Sequence, residues 1–230
     1  MEFHEFFEYM DFSQQHADDD TPLKRIRKLT MPQNQLLTFI NDNKFSIVYK
    51  KRQEGVSSAI GAYLLWLLIN NDNYRIGIIA CNSHERESIR QLINMNLNKL
   101  EIIFKEKGFD NSILTPQNHN VNYTKFINGS TINYWTKSQP DAGRGHELDL
   151  AYISELTYSN DYTRILNTLL LSILSSKNGK FIITTTDLSN IKDDLFMNGD
   201  GVSEYWMDAF SGTRFVIFEK TNSKGINFKI

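Results

Sequence analysis

One cysteine in 230 residues, Cys81, excludes an internal disulfide and a multi-cysteine metal site and fits a reducing compartment. Net charge is as sparse: 25 Lys and Arg against 27 Asp and Glu leave a formal −2 at pH 7. The chain as a whole is therefore no basic nucleic-acid binder, and any DNA contact must come from a local patch or from repetition in an oligomer. The apolar stretch Ile60 to Ile69 is too short to cross a bilayer, and Met1 to Tyr9 is too acidic for a secretory signal. There are no repeats, no low-complexity segment and no Pro/Gly/Ser linker. His84, His119 and His146 lack metal-ligand spacing and read as surface or loop residues, and Asp193-Asp194 as a solvated acidic pair. The expectation is a soluble, intracellular domain without a membrane partner.

What is present is core material. Hydrophobic residues make up 40% of the chain, with 15 Phe and 10 Tyr, enough for one large domain or two small ones. Residues 1–25 read as an N-terminal arm, with a short helix near Glu2–Met10, and 26–230 as the folded domain. Pro32 opens a helix to about Asn41. Phe45 to Tyr49 is a β-rich apolar run, followed by a polar turn, Lys50 to Ser58, and an apolar helix carrying Ile60, Tyr63, Leu64, Leu67 and Leu68. Arg75 to Cys81 is a second strand. Ile89, Leu92, Ile93, Leu97, Leu100 and Phe104 form a helical stripe.

Asn128-Gly129, between the β-rich runs 120–127 and 130–136, predicts a type I′ hairpin. Strands at Leu148 to Ile153, Phe181 to Thr185 and Arg214 to Glu219, and a helical face at Ile165, Leu166, Leu169, Leu170 and Ile173, complete the pattern. Trp135 and Trp206 read as core or interface residues. Strands alternating with amphipathic helices imply an α/β fold, a mostly parallel central sheet with helices on both faces, plus a β-hairpin.

Two segments carry chemistry. Lys50-Lys51-Arg52-Gln53-Glu54-Gly55-Val56-Ser57-Ser58 sits between a buried strand and an apolar helix, where backbone N–H groups at a helix start favour phosphate. It departs twice from G-x-x-x-x-G-K-[ST]: Lys50 replaces the first glycine and Val56 the lysine. Either this is a degenerate loop or plain basic turn, or the lysine has moved to the loop start, from where its long stem reaches the same phosphates. Gly55 would then allow close backbone approach and Ser57 would offer a hydroxyl to Mg²⁺. The second segment, Leu148 to Glu155, is an apolar strand ending in a carboxylate. Glu155 is placed to polarise an attacking water, and Ser154 stands where an aspartate commonly supports the metal. An ordinary strand with a glutamate at its exposed end reads the same way.

The order of further motifs separates these readings. Gln33, Leu36, Leu37, Asn43 and Lys44 precede K-x-R-Q-x-G-x-S at Lys50–Ser57. Phe126-Ile127-Asn128-Gly129-Ser130 follows, then Ser138-Gln139-Pro140-Asp141-Ala142-Gly143-Arg144-Gly145, Glu155, and Ile182-Ile183-Thr184-Thr185-Thr186. Over about residues 30–190 this series resembles the ATPase domain of tailed-phage large terminases, whose members include a variant with a lysine at the loop start, Arg-Gln, and a Ser-Glu strand end.

The resemblance implies a P-loop NTPase that binds ATP and Mg²⁺ and drives double-stranded viral DNA into a procapsid in the host cytoplasm. It acts as a ring on the portal protein, with a small terminase subunit as partner. It implies Gln33 on the adenine side and Lys50, Arg52, Gln53, Gly55, Val56, Ser57 and Ser58 as the phosphate loop. Ser57 and Ser154 fall on the metal side, Glu155 is the base, Arg144 completes a neighbour's site, and Thr184, Thr185 and Thr186 couple hydrolysis to movement. A bracing arginine and an ordinary strand end are the plain alternatives for the last two. The nuclease domain of complete large terminases is expected to be absent, since the chain stops at Ile230. The competing expectation is a catalytically silent nucleotide-binding or assembly module.

Overall fold

The computed structural model describes residues 3–8, 29, 31–50, 55–139, 141–155, 165, 168–169, 171–173, 176, 179–186, 202–209 and 213–220. The elements in chain order are α1 (Phe3–Glu8), α2 (Met31–Asp42), β1 (Phe45–Tyr49), α3 (Val56–Asn70), β2 (Arg75–Ala80), α4 (Ser83–Lys107), β3 (Pro116–Asn120), β4 (Tyr123–Phe126), β5 (Thr131–Thr136), β6 (Leu150–Ser154), β7 (Lys180–Thr185), β8 (Val202–Ala209) and β9 (Thr213–Lys220). A short 3₁₀ turn, Ser112–Leu114, precedes β3.

Seven strands form one sheet in the order β1-β7-β6-β2-β5-β4-β3. The first five are parallel, and β4 and β3 add an antiparallel meander at one edge. β8 and β9 pair as a separate antiparallel hairpin. The parallel strands read as continuous apolar runs because both their faces are covered. On one face Val48, Ile76, Ile78, Leu150, Tyr152 and Ile182 join the core built with α1 to α4. The alternate residues Ile47, Ile79, Ile153 and Ile183 are equally buried, as are Ile165, Leu169 and Ile173, whose one-turn spacing is helical as the sequence predicts. Leu166 and Leu170 lie outside the described residues.

α3 is buried nearly all round, with Val56, Ala59, Ile60, Tyr63, Leu64 and Leu68 all at 5% exposure or less, because α1, α2 and α4 pack around it. α1 does not behave as an arm. Phe6 and Phe7 are fully buried, and Phe3 meets Tyr63 and Trp66 edge-on. Each buried Phe contributes about 2 kcal/mol of hydrophobic stabilisation. Among the described residues no helix is long and apolar enough to cross a membrane.

The expected type I′ turn is corrected. Only Gly129 has a positive φ there, +80°. Gly129 N–H donates to Phe126 O (3.1 Å) and Phe126 N–H to Ser130 O (2.9 Å), a longer loop with glycine at the left-handed position. The reason is tertiary: the Asn128 carboxamide donates to the carbonyls of Leu68 (2.7 Å) and Asn71 (3.0 Å) and accepts from Ser130 N–H (3.1 Å). These bonds hold the loop against the end of α3. Strand β3, and β8, the partner of β9, carry no clear period-two pattern in the sequence. Trp135 is half-buried and meets His146 edge-on at 5.2 Å; the side chain of Trp206 lies outside the described residues.

Candidate functional site

Strand order decides which loops meet. β7 lies between β1 and β6, and all three run in parallel, so their C-terminal ends open on one edge of the sheet. In open α/β sheets ligands bind beyond these ends. The register pairs Tyr49 with Thr185 and Ser154 with Thr184. Lys50, Glu155 and Thr186 are the next residues on each chain, and Lys50 N–H still donates to Thr185 O at 2.9 Å.

These three make the centre of the site. The Lys50 ammonium forms an ion pair with Glu155 Oε1, both side chains almost buried, at 11% and 13% exposure. Glu155 Oε2 accepts from Thr186 N–H (3.1 Å) and Thr186 Oγ1 (3.0 Å). The Glu155 backbone is left-handed, φ +54°. That conformation costs a non-glycine residue roughly 1–3 kcal/mol and persists only where its surroundings enforce it. Here the cation and the two Thr186 donors hold the carboxylate in place.

Gly55, at φ +71°, is the N-cap of α3, and no side chain caps the helix there. The first-turn N–H groups of a helix have no intrahelical acceptor, and an uncapped helix start suits an anion. Gln33 reaches this point: its Nε2 donates to Gly55 O at 3.2 Å, and a Cβ on Gly55 would stand 2.5 Å from that nitrogen. Gln33 is 5% exposed, so the structure ties it to the loop itself. Val56 points into the core at 1% exposure and offers the site only its backbone. Ser57 and Ser58 are half-buried in the first turn of α3. Arg52 and Gln53 lie outside the described residues.

Behind the ion pair lies a cluster of hydroxyls. Tyr152, fully buried on β6, shares a hydrogen bond of 3.4 Å between its hydroxyl and Thr184 Oγ1, and the hydroxyls of Ser154 and Ser57 lie near enough to oppose the rise of its phenol. Burial pushes its phenol up, so it stays neutral. Ser57 and Ser154, from different elements, thus lie on the same side of the site. Thr184 is committed to this interior cluster, Thr185 contributes its carbonyl to Lys50, and Thr186 alone of the three touches Glu155.

Arg144 stands apart. It sits in the turn after β5 with its side chain 76% exposed and 3.5 Å from Asp141. Among the described residues the structure does not bring it to Lys50 or Glu155.

Three participants escape sequence reasoning. Tyr152 is hidden in an apolar strand. Lys137, one residue past β5, is buried; burial pushes its ammonium down, against the opposing pull of Cys81, Glu85 and Glu155. Glu85 accepts from Ser154 Oγ at 2.5 Å. The one signal for it is Asn82-x-x-Glu85, a helix-start pattern directly after β2. Cys81 is a neutral thiol, raised to about 11 by burial and by the neighbouring Glu85.

No family model matches the sequence, and no curated protein does. Solved structures do match. The large terminase of bacteriophage HK97 superposes with a TM-score of 0.61 over 80% of this chain and 37% of its own, at 15% identity. A mutant of the Thermus phage P74-26 large terminase ATPase domain gives 0.51 over 65% of this chain and 63% of its own, at 17% identity. The chain therefore spans less than two thirds of either relative. The five parallel strands with their flanking helices thus share the fold of phage large terminase ATPase domains.

Proposed function

We propose that this chain is the ATP-hydrolysing motor domain of a tailed-phage large terminase, coupling hydrolysis to translocation of double-stranded DNA into a procapsid. The observation that carries the reading is the Lys50–Glu155–Thr186 cluster. A loop cation, a strand-end carboxylate and the end of β7 meet where the fold places a ligand. It favours the lysine moved to the loop start over a degenerate loop, because Lys50 lies on the site while Val56 faces the core.

The chemistry follows from the contacts. Nucleotide phosphates compete with Glu155 for the Lys50 ammonium. Once released from the cation, the Glu155 carboxylate orients a water and takes its proton as the water oxygen attacks the γ-phosphorus and the bond to ADP breaks. The donor set fits Mg²⁺: hydroxyl oxygens of Ser57 and Ser154 would hold it, directly or through water, and when bound it neutralises phosphate charge. Gln33 braces Gly55 on the adenine side of the loop. Thr186 binds the same carboxylate oxygen through backbone and side chain, so a shift of Glu155 moves the end of β7, giving Thr184 to Thr186 a coupling role.

Arg144, exposed and outside the cluster, serves the site of a neighbouring subunit in a ring on the portal, where such an arginine can be worth about 10³–10⁵ in rate. The small terminase subunit is the expected partner for loading DNA. ATP turnover, with DNA present, should therefore rise in specific activity with protein concentration. Arg144→Ala and Glu155→Gln subunits, each inactive alone, should recover ATPase when mixed. A mixture that stays inactive after assembly is verified means that Arg144 works in cis or only braces its loop, and a wild-type chain with no turnover at any concentration leaves the silent assembly module.

A further inference from the structure

We propose that Glu85, in the first turn of α4, supplies the metal-side negative charge that Ser154 lacks, acting through the Ser154 hydroxyl as a positioning residue. This rests on the ATPase reading above. β2 neighbours β6 in the sheet, so the start of α4 stands beside the end of β6. Ser154, 1% exposed, donates its one hydroxyl proton to Glu85 Oε1 at 2.5 Å. The other carboxylate oxygen accepts Cys81 N–H at 2.6 Å, and Glu85 N–H is capped by Asn82 Oδ1 at 2.9 Å. Backbone and side chain are thereby both fixed.

The direction of these bonds matters. In an ordinary capping box the glutamate turns back to the N–H of the cap residue itself. Here it reaches past Asn82 to Cys81 and across to the neighbouring strand. A serine that donates its proton to a carboxylate keeps its lone pairs for an acceptor role, and its oxygen gains negative character. Glu85 and Ser154 together thus present what an aspartate at position 154 would present alone: a fixed, electron-rich oxygen backed by one unit of charge. Two cations lie near: buried Lys137, within electrostatic reach of Glu85, Glu155 and Cys81, and Lys50, which holds Glu155.

The test measures ATPγS affinity by calorimetry across a Mg²⁺ series beginning in EDTA, with thermal unfolding as the check on folding. In the wild type Mg²⁺ should tighten ATPγS binding. Glu85→Gln keeps size and one accepted bond but loses the charge and turns the contact with Ser154 into one the amide donates, so affinity in EDTA should hold while the Mg²⁺ midpoint rises about tenfold, the low end for loss of a supporting charge. Ser154→Ala should give the same rise, and the two changes together no more than either alone. Glu85→Gln with Ser154→Asp should restore the midpoint, whereas Ser154→Asp alone sets two carboxylates together and should destabilise the fold. If Glu85→Gln alone fails to fold, its combination with Ser154→Asp decides the question: a wild-type midpoint supports the shared charge and a raised one overturns it. An unchanged midpoint in either variant overturns the role of Glu85 and leaves the ATPase reading intact. A wild type that binds no ATPγS overturns both.

Discussion

The two ends of the parallel sheet are both charged, and they use charge differently. At the N-terminal end Asp149 is saturated: it accepts from Arg75 N–H (2.9 Å), Arg75 Nε (3.1 Å), Arg75 Nη2 (3.3 Å) and Ser176 Oγ (2.7 Å). Lys180 donates to the carbonyls of Ile40 (3.2 Å), Asn41 (2.5 Å) and Asn43 (3.4 Å), capping the end of α2. At the C-terminal end Lys50 and Glu155 hold each other, on a left-handed backbone and beside an uncapped helix start. Charges each held by three or four bonds, backbone groups among them, build the sheet. A pair of side chains that satisfy one another can be parted by a ligand carrying the same charge as one of them.

The largest contrast should come from the carboxylates. Glu155→Gln is expected to leave nucleotide binding in place and lower turnover by about 10²–10⁴, the range for a lost general base. Asp149→Asn should instead leave turnover per folded molecule unchanged and cost about 2 kcal/mol of stability. Single-turnover kinetics and chemical denaturation separate the two, and full turnover in Glu155→Gln would transfer the base role elsewhere.

The lysines come next. Lys50→Ala should weaken ATPγS binding by about 30-fold, roughly 2 kcal/mol, the scale of a lost charge-assisted contact. Lys51→Ala should do far less, and Lys180→Ala should reduce stability without touching affinity. Equal, small losses from Lys50→Ala and Lys51→Ala would remove the relocated lysine.

Two glycines repeat the contrast at smaller scale. A Cβ on Gly129, at φ +80°, would stand 2.2 Å from Asn73 Oδ1, so Gly129→Ala should destabilise the fold by about 2 kcal/mol. Gly55→Ala carries the same left-handed strain but presses only on the movable end of the Gln33 side chain, so a smaller stability loss should come with a several-fold loss of nucleotide affinity. A thermal shift of equal size in both would erase the difference between the ends.

The smallest effect is a pH dependence. Burial alone would raise Asp149, but hydrogen bonds from Arg75 and Ser176 outweigh it and hold the carboxyl below its ordinary value. A carboxylate depressed in the folded state stabilises fully above its unfolded pKa, about 3.9, and that stability is lost as pH falls through the folded value. Wild type should therefore lose stability below about pH 4 more steeply than Asp149→Asn. Parallel acid-unfolding curves would show that Asp149 adds nothing.

Much of the fold was legible because apolar periodicity is a local property. The runs at 45–49, 75–80 and 181–185 had to be buried strands, and the stripe from Ile89 to Phe104 had to be a helix face. β3 was not legible, since Pro116-Gln117-Asn118-His119-Asn120 is polar and gains strand form only from its neighbour β4. Nor was the burial of α1, whose aromatics have meaning only beside Tyr63 and Trp66.

In the site, the sequence by itself determined the ingredients: a lysine-led loop ending in Gly55-Val56-Ser57, a strand closing in Ser154-Glu155, and three threonines after another strand. It could not determine which of them meet, because that depends on strand order, and strand order is set by long-range pairing and by which face each helix covers. The tertiary structure placed β7 between β1 and β6, turned Val56 inward, chose Thr186 from the three threonines, and brought Glu85 from another helix to the serine beside the base. Side-chain type follows from the chain alone, whereas a contact between residues far apart in sequence exists only once the sheet has closed around it.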